Sequence, residues 1–268
     1  MADSLISPQS VVKTVLMWEG VSRTAKFAFK KLVQHPGFLV NGSDGKDLLL
    51  MGPAYTVSLV HALINSVRGV AHIYVLLQGP LEAQLIMETN SSYPWSVTSD
   101  TNLSITLTNT IFISYLIQDV THILLSYPDK GGADVTAHHL GFMGTSLLCS
   151  IYRILPLPFG WLMAGELSTI PLNVRWLLIL TGRGETRALQ VVQIIFAALF
   201  VLTRILGYGL GLVHLWIHRE LIFSAIDVPT WAASLVLLMV VAGYGLNLMW
   251  LQKIVSLATR KPRAKKRA

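Results

Sequence analysis

Charged side chains are scarce in this sequence: they make up 13% of its 268 residues, while 53% are hydrophobic. A water-soluble domain carries about 25% charged residues, so a chain this apolar cannot cover its surface in water and a soluble globular fold is excluded. Cysteine is nearly absent. The single Cys149 lies in a hydrophobic run, which rules out a disulfide framework or a cysteine-rich metal site and reads as a small core residue. A cleavable signal peptide is not expected either, because Lys13, Glu19, Arg23 and Lys26 interrupt the first apolar stretch before an h-region can form. Positive charge is in excess, with a formal net of +7. It collects at the two ends of the chain instead of on a folded basic face, so membrane topology accounts for it and nucleic acid is not an expected partner.

Long hydrophobic sequence is what the chain has in quantity. A bilayer-crossing helix takes about 20 mostly apolar residues, and six windows qualify, near 48–77, 103–127, 135–155, 157–180, 188–216 and 230–252. The expected fold is all-α, a multi-pass transmembrane bundle of about six spans. Lysines and arginines stand before the first window and again after the last, so both termini are expected in the cytoplasm, which requires an even number of spans. The intervening loop 78–102 has Glu82, Glu88 and Asp100 but no Lys or Arg, as a lumenal loop should. It carries sequons at Asn90 and Asn102, of which Asn90 is the expected glycan acceptor.

Three regions follow: a cytoplasmic N-terminal segment 1–44, a transmembrane domain 45–255 and a basic cytoplasmic tail 256–268. Within the first, residues 8–34 read as an amphipathic helix, with Val11, Val15, Trp18, Val21, Ala25, Ala28 and Leu32 at helical spacing among lysines. It is expected on the cytoplasmic face of the membrane. In the tail, Lys265 and Lys266 stand fourth and third from the end. That is the dilysine pattern read by the retrieval coat of the endoplasmic reticulum; a generic basic tail attracted to anionic lipid is the alternative.

The spans themselves are unusually polar, and ionisable groups inside a bilayer mark functional sites by default because they are costly there. His61, Asn65, Arg68 and His72 share one helical stripe. Gln118, Asp119 and His122 share a face of the second span. His138 and His139 open the third, and adjacent residues differ by about 100° around a helix, so both imidazoles cannot address one small target. The fourth window contains Glu166, Ser168, Thr169, Pro171, Asn173 and Arg175, a polar and proline-broken stretch tolerated at membrane depth only beside protein or a cavity. Gln193, Arg204 and His214 follow in the fifth, Gly243 and Asn247 in the sixth. Any one of these could be an interhelical hydrogen bond. Together they predict a polar central chamber built from His61, Asn65, Arg68, His122, Glu166, Ser168, Thr169, Asn173, Arg204 and Asn247.

Several of these stretches resemble one family. Tyr115-Leu116-Ile117-Gln118-Asp119, the His138-His139 pair, Glu166-Leu167-Ser168-Thr169, Asn173-Val174-Arg175-Trp176 and Asn247-Leu248-Met249-Trp250 occur in the order of the TLC domain, over roughly 45–255. Ser58-Leu59-Val60-His61-Ala62 is similar to it as well. The family includes ceramide synthases, translocon-associated proteins, a cargo receptor that recycles to the endoplasmic reticulum, and small members implicated in lipid composition. This chain resembles the small members, and its lead-in Pro128 to Asp134 departs from the longer acidic-flanked histidine motif of the ceramide synthases.

The resemblance implies a protein of the endoplasmic reticulum membrane acting in lipid homeostasis, of sphingolipid or ceramide, through a chamber that binds lipid. It also implies two alternatives. One is a cargo receptor. The other is N-acyl transfer from acyl-CoA to a sphingoid base, with His138 or His139 as base or transient acyl acceptor, Asp119 orienting the imidazole, and Arg204 or Arg68 near the thioester or phosphate. Acyl-CoA would then be a co-substrate, and no other cofactor is expected. The expected partners are membrane lipid, a sphingoid base or ceramide, and the retrieval coat. A di-iron site drawing on His214, His218 and the histidine pair would need more ligands than eight histidines arranged this way supply, so no metal is expected.

Overall fold

Pro8–Val33 form the first helix, α1, in a computed structural model that describes residues 6–35, 45–86, 104–127, 129 and 132–259. Asn90, Asn102, Lys265 and Lys266 lie outside the described residues, as do both chain ends. The other helices are α2 (Lys46–Leu76), α3 (Leu81–Leu85), α4 (Ile105–Leu125), α5 (Ala133–Tyr152), α6 (Pro156–Ala164), α7 (Thr169–Leu180), α8 (Arg187–Phe200), α9 (Tyr208–Ile217), α10 (Arg219–Phe223) and α11 (Thr230–Thr259). A 3₁₀ turn, Gly165–Ser168, joins α6 to α7, and a π-helical segment, Val201–Gly207, joins α8 to α9. No strand occurs among the described residues, so the protein is an all-α membrane bundle.

Each of the six hydrophobic windows falls on a helical column: α2, α4, α5, α6 with α7, α8 with α9, and α11. Three of these, Lys46–Leu76, Arg187–Ile217 and Thr230–Leu257, are long and apolar enough to cross a membrane by length and composition. The α8–α9 column shows what surrounds the bundle: only 11% of its most apolar window is buried inside the protein. An apolar face of that length has no place in water and is the ordinary surface of a helix in lipid.

Local signals set the column ends. Ser104 caps α4 by accepting a hydrogen bond from the Leu107 amide at 3.2 Å, and Thr186 caps α8 from the Leu189 amide, the usual use of Ser and Thr at a helix start. Between α5 and α6, Arg153 and Leu155 have φ of 53° and 60°. This strained turn is held by a 2.8 Å bond from the Leu155 amide to the Leu85 carbonyl, which ties α3 to it. Pro156 then occupies the first turn of α6, where its missing N–H costs nothing.

Side-chain pairings show that neighbouring columns run antiparallel and close into a ring. His61 faces Tyr115 while His72 faces Thr108, joining α2 to α4. Asn109 and Ser146 exchange hydrogen bonds between α4 and α5. His138 meets Trp250, and Tyr152 meets Trp231, between α5 and α11. Tyr208 donates to the Val240 carbonyl between α9 and α11, and the Trp161 ring covers Gly211 between α6 and α9. The ring closes where Gly69 of α2 lets the Ala164 backbone approach so nearly that a Cβ there would stand 2.4 Å from its nitrogen.

An amphipathic helix forms where the sequence places it, but instead of lying flat on a membrane face it runs lengthwise along the bundle, with its apolar face in the outer groove between α2 and α4. It runs antiparallel to α2: Val33 sits over Gly45, Phe29 over Gly52 and Trp18 beside His61. Trp18 is fully buried, and its indole N–H donates to Ser114 at 3.2 Å. A cytoplasmic surface alone would leave that side chain against lipid. The groove gives it aromatic neighbours and a hydrogen-bond acceptor instead.

Candidate functional site

The two irregular segments of the ring face one another, and Arg204 links them. It projects from the π-helical segment onto the 3₁₀ turn, with Nε donating to Ser168 at 2.9 Å, and Nη2 donating to Thr169 at 2.9 Å and to Glu166 at 3.1 Å. Arg204 and Glu166 are each about 15% exposed, so their charges are paired largely away from solvent. Departures from α geometry inside a helix recur at functional sites, and here both departures serve one ion pair.

From Glu166 the polar path continues across the ring. Its second carboxylate oxygen lies 3.9 Å from His61 Nδ1. The His61 ring stacks on Tyr115, with centroids 3.7 Å apart, and Tyr115 lies against His139. His139 Nδ1 is 3.2 Å from the Asp119 carboxylate, close enough for an ion pair but out of line for a hydrogen bond. Asn65 donates to the His61 carbonyl, and Asn173 donates to Ser58 at 3.0 Å. Asn247 is buried on α11.

The histidine pair diverges as the 100° step requires. His139 turns toward Asp119 and Tyr115. His138 turns toward α11, with its ring edge-on to Phe142 at 4.5 Å and to Trp250 at 5.1 Å. It also forms part of the wall of a cavity of about 290 Å³ between α5, α6, α9 and α11. That cavity is almost wholly apolar, lined by Phe142, Cys149, Trp161, Leu215, Met239 and Gly243 among others.

Buried ring nitrogens of His61 (both), His138 (Nδ1) and His139 (Nδ1) have no hydrogen-bond partner among the described residues. Buried polar atoms are nearly always satisfied, so an unsatisfied group calls for a reason. Here three histidines at one level of the ring share the condition.

Two residues expected in the chamber belong elsewhere. Arg68 donates to Thr108 at 2.7 Å and to the Ser104 carbonyl at 3.0 Å, beside His72, toward the far end of α2. His122 faces outward and meets Glu19 of α1 at 2.9 Å. Glu19 also accepts from Arg23, and that bond first, with His122 acting against the effect of burial, holds its carboxyl below the ordinary range. The shared face of Asp119 and His122 thus splits: a three-residue offset turns one toward α5 and the other toward α1.

Sequence reasoning missed Trp18 and the cavity lining. Trp18 stood on the amphipathic stripe, where nothing distinguishes a protein-facing from a lipid-facing position. Apolar lining residues carry no sequence signal in a chain that is apolar throughout.

The sequence profile of the TLC domain matches residues 54–256. The chain belongs to the TLC-domain family. Its membership makes it a membrane protein of lipid-related function. No curated protein and no solved structure matches the chain significantly. The matched region takes in the whole ring apart from the start of α2 and the last turn of α11, and it leaves α1 out.

Proposed function

We propose that this TLC-domain protein holds a membrane lipid, a sphingolipid or ceramide, inside its helical ring and acts in lipid homeostasis at the endoplasmic reticulum. His138 carries the reading. Its unpartnered Nδ1 belongs to a ring that walls an apolar cavity, the combination that takes an alkyl chain along the wall and a hydroxyl or amide at the imidazole. The expected chamber residues His61, Asn65, Glu166, Ser168, Thr169, Asn173, Arg204 and Asn247 do not line that cavity; in this reading they hold the helices of the ring in place around it. The dilysine at Lys265 and Lys266 supports retrieval from later compartments through a coat, with the tail in the cytosol.

The Asp119–His139 approach of 3.2 Å favours a second reading, a ceramide-synthase-like N-acyltransferase. The amine of a sphingoid base would attack the thioester carbonyl of acyl-CoA. The new C–N bond forms as the C–S bond breaks, and a histidine takes the amine proton and returns it to the leaving sulfur, so that CoA departs as the thiol. Asp119 would hold the imidazolium, and Arg204 is tied to Glu166 and would serve structure.

One preparation tests both. Purified protein in lipid nanodiscs is analysed for retained lipid by mass spectrometry, then incubated with acyl-CoA and a sphingoid base. Retained sphingolipid that is lost in His138→Phe, without amide product, is the expected result. Product formed by wild type and abolished in His139→Ala and Asp119→Asn assigns the enzyme instead. Neither retention nor product overturns both readings.

A further inference from the structure

A cavity of about 430 Å³ lies outside the ring, between α1, α2 and α4. Leu49, Leu50 and Pro53 come from the first turns of α2, and Ser126 ends α4, so the cavity sits where helices of the bundle begin and end. Helix ends mark the headgroup level of a bilayer.

Its polar groups are mostly donors without acceptors. Lys26 forms no ion pair among the described residues, and the Ser22 and Ser126 hydroxyls form no side-chain hydrogen bond there. Arg23 gives only its Nε to Glu19, leaving its two amino groups open. The Glu19 carboxylate is already taken by Arg23 and His122. One positive charge therefore remains uncompensated, beside two open hydroxyls and a half-used guanidinium. A tetrahedral anion with several acceptor oxygens fits that set, since arginine, lysine and hydroxyls bind phosphate by charge-assisted hydrogen bonds. The leucines and Pro53 supply an apolar flank for the glycerol and the first methylenes of a lipid.

We propose that this cavity binds the headgroup phosphate of an anionic phospholipid, with Lys26 and Arg23 on the phosphate, Ser22 and Ser126 completing its hydrogen bonds, and α2 packing on the start of the chains. Glu19, Ser22, Arg23, Lys26, Leu49, Leu50 and Pro53 precede the matched TLC region, while His122 and Ser126 lie within it, so the site joins the N-terminal helix to the domain. It is separate from the ring cavity and does not depend on the lipid held there.

The test uses full-length protein in phosphatidylcholine nanodiscs doped with phosphatidate, with bound lipids counted by native mass spectrometry. Wild type is expected to enrich phosphatidate about tenfold over phosphatidylcholine, equivalent to about 1.4 kcal/mol. Lys26→Ala and Arg23→Ala abolish the enrichment, while Lys13→Ala on the same helix keeps it. Lys26 is exposed and makes no bond among the described residues, so in Lys26→Ala the loss comes with an unchanged thermal transition. Loss of enrichment in Lys13→Ala as well shows diffuse attraction of basic residues to anionic lipid and overturns the site, as does no enrichment at all. Inorganic phosphate that displaces phosphatidate at equal concentration assigns the cavity to a free anion and overturns the lipid. Retention of sphingolipid by the ring is unaffected in Lys26→Ala, which keeps this outcome distinct from that of the proposed function.

Discussion

Arg204 has three side-chain partners in a site from which solvent is largely excluded, so its loss leaves Glu166 charged and unpaired. Removing one partner of a buried ion pair costs about 3–5 kcal/mol, and Arg204→Ala is expected at the lower end because Glu166 keeps 15% exposure, through which water can reach it. Thermal unfolding in detergent measures it; Arg204→Lys, which keeps the charge but not the fork, should fall between. Gly69 is a second single-residue constraint. A Cβ there meets the Ala164 nitrogen at 2.4 Å and the Met163 carbonyl carbon at 2.7 Å, and backbone atoms cannot rotate away. Gly69→Ala therefore pushes α2 off α6, at a cost of about 1–3 kcal/mol or more. Gly144→Ala, with nothing within 4 Å, should be neutral or gain helix propensity. Equal effects from the two substitutions would contradict this packing. Sequence made the polar residues legible as a set: His61, Glu166 and Arg204 were legible because charge inside a hydrophobic window stands out. It did not sort them. Arg68 and His122 stood on the same stripes as chamber residues and pair elsewhere, because a stripe fixes direction around one helix and not the neighbour it meets.

Helix α1 was legible as an amphipathic element, but its packing surface was not, since an apolar stripe looks alike whether lipid or protein covers it. The structure supplies two handles on its docking. Trp18→Ala removes a fully buried indole, a change that typically costs about 3–5 kcal/mol, and is expected to raise amide exchange across 8–33 while leaving α5 and α11 protected. Trp18→Phe keeps most of the ring but not the N–H, and should lose about 1 kcal/mol. Glu19 adds a pH dependence. Its carboxyl is held below the ordinary value of 4.5 in the folded protein, so its contribution is complete above that value and is lost as pH falls through the folded one. Exchange in α1 should rise on acidification below about 4.5, and Glu19→Gln should remove that component. The π-helical segment is the element sequence could least foretell. Val201-Leu202-Thr203-Arg204-Ile205-Leu206-Gly207 reads as ordinary apolar helix, and it is the reach of Arg204 to partners on another column that accompanies the departure. The 3₁₀ turn was partly visible, because polar residues ahead of Pro171 marked the fourth window as irregular.

At the scale of the whole molecule, hydrophobic length located six columns but could not order them around a ring. That order rests on contacts such as Gly69 with Ala164 and Tyr208 with Val240, which join residues far apart in the chain. Antiparallel closure has a topological consequence. With α2, α4, α5, α6–α7, α8–α9 and α11 alternating in direction, the α7–α8 turn and the end of α11 lie on one side of the membrane and the turn after α2 on the other. The chain's single cysteine makes this directly measurable. In a Cys149→Ser background, Gly184→Cys, Ser256→Cys and Gln78→Cys each place one thiol at an exposed position. In sealed microsomes an impermeant maleimide is expected to label the first two at once and the third only after the membrane is permeabilised. If Gly184→Cys and Ser256→Cys differ, an odd number of crossings lies between them and the ring cannot be threaded as six. If all three label in sealed vesicles, the columns do not cross the bilayer at all. If only Gln78→Cys labels, the ring stands with its orientation reversed, and the tail could not present its lysines to a cytosolic coat.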